Sequence, residues 1–242
     1  MASVVKWVVA GVLAAGLAAA SNWRIESLPE PSVEYNILFV PPEKLVTEAA
    51  SGFDNLIADG LWLGLLQYYG DRVVSDDHKF MNLPAAFRLI TRLDSHFWFA
   101  YWLGAFALGD SHEPDAAITM LRWGEQNNPD DYNYPYLAGF VNFAFAKDHQ
   151  AAANCFERSA TKPNASRFAR TMAARMYQTE GQDALALGMW QSVLKGAEAE
   201  GDKSLIAIAK RNVSRIQQEM AGLRKPAFRK KPRGISARAD VD

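Results

Sequence analysis

Four histidines, His78, His96, His112 and His149, are the residues of this chain best suited to holding a metal or moving a proton near neutral pH. A helical zinc site needs two of them at i and i+4, or a His-Glu-x-x-His run, and their spacing supplies neither. The single cysteine, Cys155, excludes an intramolecular disulfide and any Cys-x-x-Cys site for zinc or haem. Beside Phe156 it reads as a small buried hydrophobe. Asp76-Asp77 and Asp130-Asp131 pair carboxylates, but between apolar runs, where aspartate starts helices and solvates turns. Neither a glycine-rich phosphate loop nor a nucleophile elbow is present. Asp59 stands apart, because it interrupts an apolar stretch with Trp62 three residues on. A carboxylate on a buried face must be paired, and Arg88 or Arg92 on the following helix is the expected partner. A functional acid at Asp59 is the rival reading. The pattern as a whole predicts no enzyme, no cofactor and no metal.

The elements that carry these residues are set by a repeat. The chain has 242 residues, 49% hydrophobic and 22% charged, which suits one sizeable folded domain with attached segments. A shift of 35 residues carries Tyr101 onto Tyr136, Gly104 onto Gly139 and Leu108 onto Phe143. The same shift carries Ala117 onto Ala152 and Leu121 onto Phe156; a further 34 reaches Tyr177, Ala186 and Trp190. Pro129 and Pro163 close two of these units, and Gly181 marks the internal turn of the third. Each unit therefore reads as two short amphipathic helices. Small residues allow close approach, large ones fill the space between units, and stability comes from stacking neighbours.

The ends differ from the repeat. Residues 4–20 are apolar except Lys6 and finish in Ala18-Ala19-Ala20. This fits a signal-anchor or a cleaved signal peptide within 1–21, and Lys6 favours a cytoplasmic N-terminus with the body exported. Residues 22–44 carry Pro29, Pro31, Pro41 and Pro42 and read as a linker, with a brief pairing segment at Tyr35 to Val40. Residues 45–95 read as a divergent hairpin, 96–200 as three repeat hairpins and 201–223 as a polar-backed capping helix. From Arg224 onward seven bases face two acids, +5 in all, which leaves −6 for the rest of a chain of net charge −1. That tail, 224–242, lacks apolar periodicity and reads as disordered; anionic lipid or an acidic partner would suit it. Nucleic acid is disfavoured if the body is exported.

Ala117, Leu121, Gly124 and Pro129, then Ala152, Phe156, Ser159 and Pro163, resemble the second helix of the tetratricopeptide repeat (TPR). Gly104-Ala105 and Gly139-Phe140 depart from its usual Leu-Gly pair, and Arg170 replaces an aromatic. Phe53-Asp54-Asn55-Leu56 to Trp62, running on to Tyr68-Tyr69-Gly70, resembles the opening of bacterial membrane-anchored TPR proteins without a defined biochemical role. The resemblance implies an all-α helical-hairpin solenoid whose first helices line a concave groove. It projects Phe99, Trp102, Phe106, Tyr134, Leu137, Val141 and Phe145 into that groove, with Arg175 and Gln178 at one end. An aromatic groove suits a hydrophobic or helical protein segment. The expected role is a non-catalytic scaffold in a bacterial inner-membrane assembly, its body in the periplasm, anchored by residues 4–20 or soluble after cleavage. An obligate structural subunit of a larger membrane complex is the alternative, and an enzyme or small-ligand binder at Asp59 a weaker one.

Overall fold

The described residues of the computed structural model are 38–74, 80 and 82–223, and all fall in one compact unit that begins at Leu38. The expected signal or anchor segment, most of the linker, the pairing segment apart from its last three residues, and the basic tail lie outside them. Every regular element among the described residues is helical. They are α1 (Glu43–Ala49), α2 (Asp54–Val74), α3 (Leu83–Leu93), α4 (Trp98–Asp110), α5 (Pro114–Asn127) and α6 (Asn133–Val141). A π-helical turn, Asn142–Ala146, extends α6; then come α7 (His149–Thr161), α8 (Arg167–Thr179), α9 (Asp183–Glu200) and α10 (Lys203–Met220). None of these helices is long and apolar enough to cross a membrane.

The beat of the sequence is the beat of the helices. Trp98, Asn133 and Arg167 open successive first helices, 35 and then 34 residues apart, and Pro114, His149 and Asp183 open the second helices at the same intervals. Local chemistry sets these starts. Pro84 and Pro114 occupy first-turn positions, where a missing N–H costs nothing. Asp148, Ser166 and Asp202 cap α7, α8 and α10 by accepting first-turn backbone N–H bonds. Gly181, at φ +73°, turns the chain between α8 and α9.

From α2 onward each helix packs on the next in the chain, and α4 also packs on α6. One core runs from α2 to α6 around Phe87, Tyr101, Leu121 and Tyr134; a second joins α7 to α10 around Phe156, Tyr177 and Trp190. Polar ties bridge successive hairpins at nearly the repeat spacing. The Trp123 indole donates to the Thr91 carbonyl at 3.1 Å, the Asn128 amide to Ser95 at 2.9 Å, and the Lys162 ammonium to Pro129 at 2.7 Å.

Two elements depart from the expectation. Pro42 and Glu43 begin a helix, α1, inside the stretch assigned to the linker. Its Val46 packs on the first core, which is reason enough to fold. The π turn has no counterpart in the other hairpins and ends at Lys147 in the left-handed conformation, φ +57°.

Candidate interaction surface

Helix α4 has apolar residues all round, and only part of that surface is used inside. Ala100, Tyr101, Gly104, Ala105 and Leu108 are buried against α3, α5 and α6. Trp102 and Phe99 point away, 46% and 64% exposed. A chain of rings continues from them. Trp102 meets Phe106 at 5.3 Å between centroids, Phe106 meets Phe140 of α6 at 5.3 Å, and Phe140 meets Phe145 of the π turn at 6.2 Å. Phe145 lies over Gly109, where an added Cβ would stand 2.4 Å from its ring. The lack of a side chain at Gly109 thus seats the end of this ridge. Tilted and edge-on rings at such distances attract one another beyond the area they bury.

The projected groove splits into two classes. Phe99 and Trp102 are exposed, Phe106 and Phe145 half-buried, and Arg175 exposed. Tyr134, Leu137, Val141 and Gln178 are buried and are corrected from groove to core. Tyr134 stands edge-on to Trp98 at 5.6 Å and to Tyr101 at 4.9 Å, and the Gln178 side chain accepts a bond from the buried Trp190 indole at 3.1 Å. The reason is the composition of α6. Tyr, Leu, Phe and Val occur on every side of it, so its inward face has no contrast in the sequence. Phe140, which completes the ridge, was visible only as a departure from the small pair of the repeat. A ring at that position needs open space beside the helix.

Asp59 is also corrected. It is exposed on α2, and Arg88 and Arg92 instead reach Glu43 of α1, at 3.5 and 3.8 Å. The inward stripe of α2 runs through Ala58, Leu65 and Tyr68, which turns Asp59 outward. Of the repeat positions, Tyr101, Gly104, Ala117, Leu121, Gly139, Ala152, Phe156, Tyr177, Ala186 and Trp190 are buried, while Tyr136 and Phe143 are half-buried against the second core.

No family profile matches the chain, and no curated protein does. Among solved structures it is similar to the crystal structure of MamA, at 14% identity and a TM-score of 0.38, over 63% of this chain and 95% of that one.

The second helices carry a feature that the sequence did not disclose. A cleft of about 400 Å³ lies between α5 and α7, lined by Arg122, Glu125, Asn142, Cys155 and Arg158 among others. Burial pushes the Cys155 thiol above its ordinary pKa, against the opposing pull of Arg158, so it stays a protonated, weak nucleophile. The Asn142 amide donates to the Ala138 carbonyl at 2.7 Å, and Arg158 is held by Glu125 at 3.3 Å. A second groove, about 310 Å³, lies between α8 and α10 with Phe168, Met172, Leu205 and Ile208 inside and Arg167 and Arg175 at its edge. Neither arrangement converges nucleophile, base and acid on one point, and no group of three or more His, Cys, Asp or Glu among the described residues is placed to hold a metal.

Proposed function

We propose that the protein is a non-catalytic, TPR-like scaffold of the cell envelope that binds a hydrophobic or helical protein segment on the aromatic ridge of its first helices. The observation that carries this is the pair Phe99 and Trp102, exposed side by side on α4 and continued by Phe106 and Phe140. Large aromatics spread over rigid helices are what a binding hot spot is built from, since they bury much area at small entropic cost. The 35- and 34-residue succession of hairpins supports the repeat reading. Attachment to the inner membrane through residues 4–20, with the body in the periplasm, rests on the apolar run behind Lys6.

The test is co-purification from native membranes with the double change Phe99→Ser and Trp102→Ala. Both side chains lie largely outside the core, so the melting temperature should hold while the partner is lost. Full partner recovery with both rings removed would overturn the ridge as the binding surface. Tyr134→Ala is unsuitable for this purpose, because it deletes a core ring.

A further inference from the structure

The polar cleft between α5 and α7 holds charges that are unequally spent. Glu125 is the one acid on its wall, and its carboxylate is fully engaged. Arg158 donates to its two oxygens at 3.5 and 3.3 Å, and the Lys162 ammonium stands 3.5 Å away. The other acids of these helices face elsewhere: Asp115 lines the groove towards α3, and Glu157 accepts the Tyr177 hydroxyl. Asp148, at the start of α7, accepts the Ala151 backbone N–H at 2.9 Å. One acid is thus set against three cations, and Arg122, exposed on the wall, has no acceptor among the described residues. Nη1 of Arg158 is likewise unspent.

The neighbouring polar groups lean the same way. Asn154 Oδ1 accepts from the Gln150 amide at 3.1 Å and from the Tyr177 hydroxyl at 3.3 Å, which leaves its Nδ2 to donate. The Cys155 thiol keeps its proton and adds no negative charge. Asn142, buried at the edge of the cleft, is the first residue of the π turn, and π turns within helices recur at functional sites. Ile118, Ala138 and Ala151 supply an apolar side. Donors in excess, a surplus of positive charge and a volume of about 400 Å³ suit a small molecule with an anionic end.

We propose that this cleft binds a small organic oxyanion, a molecule bearing a phosphate or carboxylate group, with Arg122 and Arg158 on that group and Asn154 beside them. Guanidinium N–H groups meet two oxygens of such a group at once, which an ammonium does not. Binding is the whole of the proposal, and no bond is made or broken. The aromatic ridge belongs to the first helices, so occupancy here stands or falls apart from the partner proposed above.

The experiment uses Cys155 as a reporter, since it lines the cleft and is the chain's only cysteine. The full-length protein in mild detergent is alkylated with iodoacetamide and read by intact mass, with pyrophosphate or citrate added at constant ionic strength. A bound anion should slow labelling to saturation, about tenfold at roughly ten times its half-effect concentration, whereas the matched chloride should not. Vesicles containing phosphatidic acid form a second arm. Protection by them alone assigns the oxyanion to a lipid headgroup, and protection by the soluble ions assigns it to a free molecule; either bears out the site. Arg122→Gln, at an exposed and unpaired position, should keep the melting temperature and raise the half-effect concentration about tenfold or more. Arg211→Gln, at an exposed position on α10, should respond as the wild type. If the wild-type thiol resists labelling, the rise in melting temperature with each anion carries the same comparison. Labelling and melting left unchanged by every anion and vesicle overturn the site. So does chloride that protects equally, or an Arg122→Gln variant that responds like the wild type.

Discussion

One added carbon at Gly124 separates two explanations of a small residue in a repeat. A Cβ there would lie 2.4 Å from the Tyr134 ring and 2.8 Å from Tyr101, and both rings are buried. Neither can retreat without moving α6 or α4. Gly124→Ala should therefore cost about 1–3 kcal/mol by overpacking, although alanine is the better helix former. Gly188, in the interior of α9, is the control, because an added Cβ there meets nothing within 4 Å. Gly188→Ala should stabilise by about 0.5–1 kcal/mol through helix propensity alone. Urea denaturation of both variants checks the pair of signs. Equal effects would mean that contact at Gly124 does not govern its identity. The sequence showed the small residue at 124 and its beat, but not what it makes room for. Asp59 marks the opposite limit at this scale. Its apolar neighbours suggested burial, yet a helix at the edge of a stack can carry apolar residues outward, and there a carboxylate needs no partner.

The first helices share a buried tyrosine, Tyr101 on α4, Tyr134 on α6 and Tyr177 on α8. Burial pushes Tyr134 up to about 12, helped by Asp131 and Asp94, and it raises Tyr101 and Tyr177 as well; Tyr177 also donates its hydroxyl to Glu157. The sign follows from linkage. Above about pH 10 the unfolded phenols ionise while the folded ones keep their protons, so the unfolded state gains. Stability from these groups is complete below about pH 10 and is lost as pH rises through the folded values. Melting temperature should fall as pH rises from about 10, the ordinary tyrosine value, to about 12, and Tyr134→Phe should fall less steeply over that range. Identical slopes for variant and wild type would remove Tyr134 from the account. At this scale the sequence was most informative. Pro129, Pro163, Gly181 and the recurring small residues announced where hairpins end, turn and touch, because those events depend on local chemistry. The inward face of α6, the helix α1 and the π turn were not legible, since each is decided by what a neighbouring helix offers rather than by its own pattern.

At the scale of the molecule, stability has a direction. The core from α2 to α6 and the core from α7 to α10 meet where α6 packs on α7, and each hairpin is held chiefly by its neighbours in the chain. Stability in such an array is a sum of hairpin and interface terms, so damage at one end need not spread. Trp190 is the largest fully buried side chain of the second core, and its indole N–H bonds the buried Gln178 side chain. Trp190→Ala should cost about 3–5 kcal/mol, a loss that falls on the C-terminal core it fills. Amide exchange read by mass spectrometry should then show α9 and α10 unprotected and α8 weakened, with α3, α4 and α5 exchanging as in the wild type. The same substitution would collapse protection evenly from α3 to α10 if the two cores unfolded as one cooperative body. The tyrosines of α4 and α6 provide an independent check: on gentle heating of the variant, near-ultraviolet dichroism from those packed rings should persist after the helicity of the last three helices is gone.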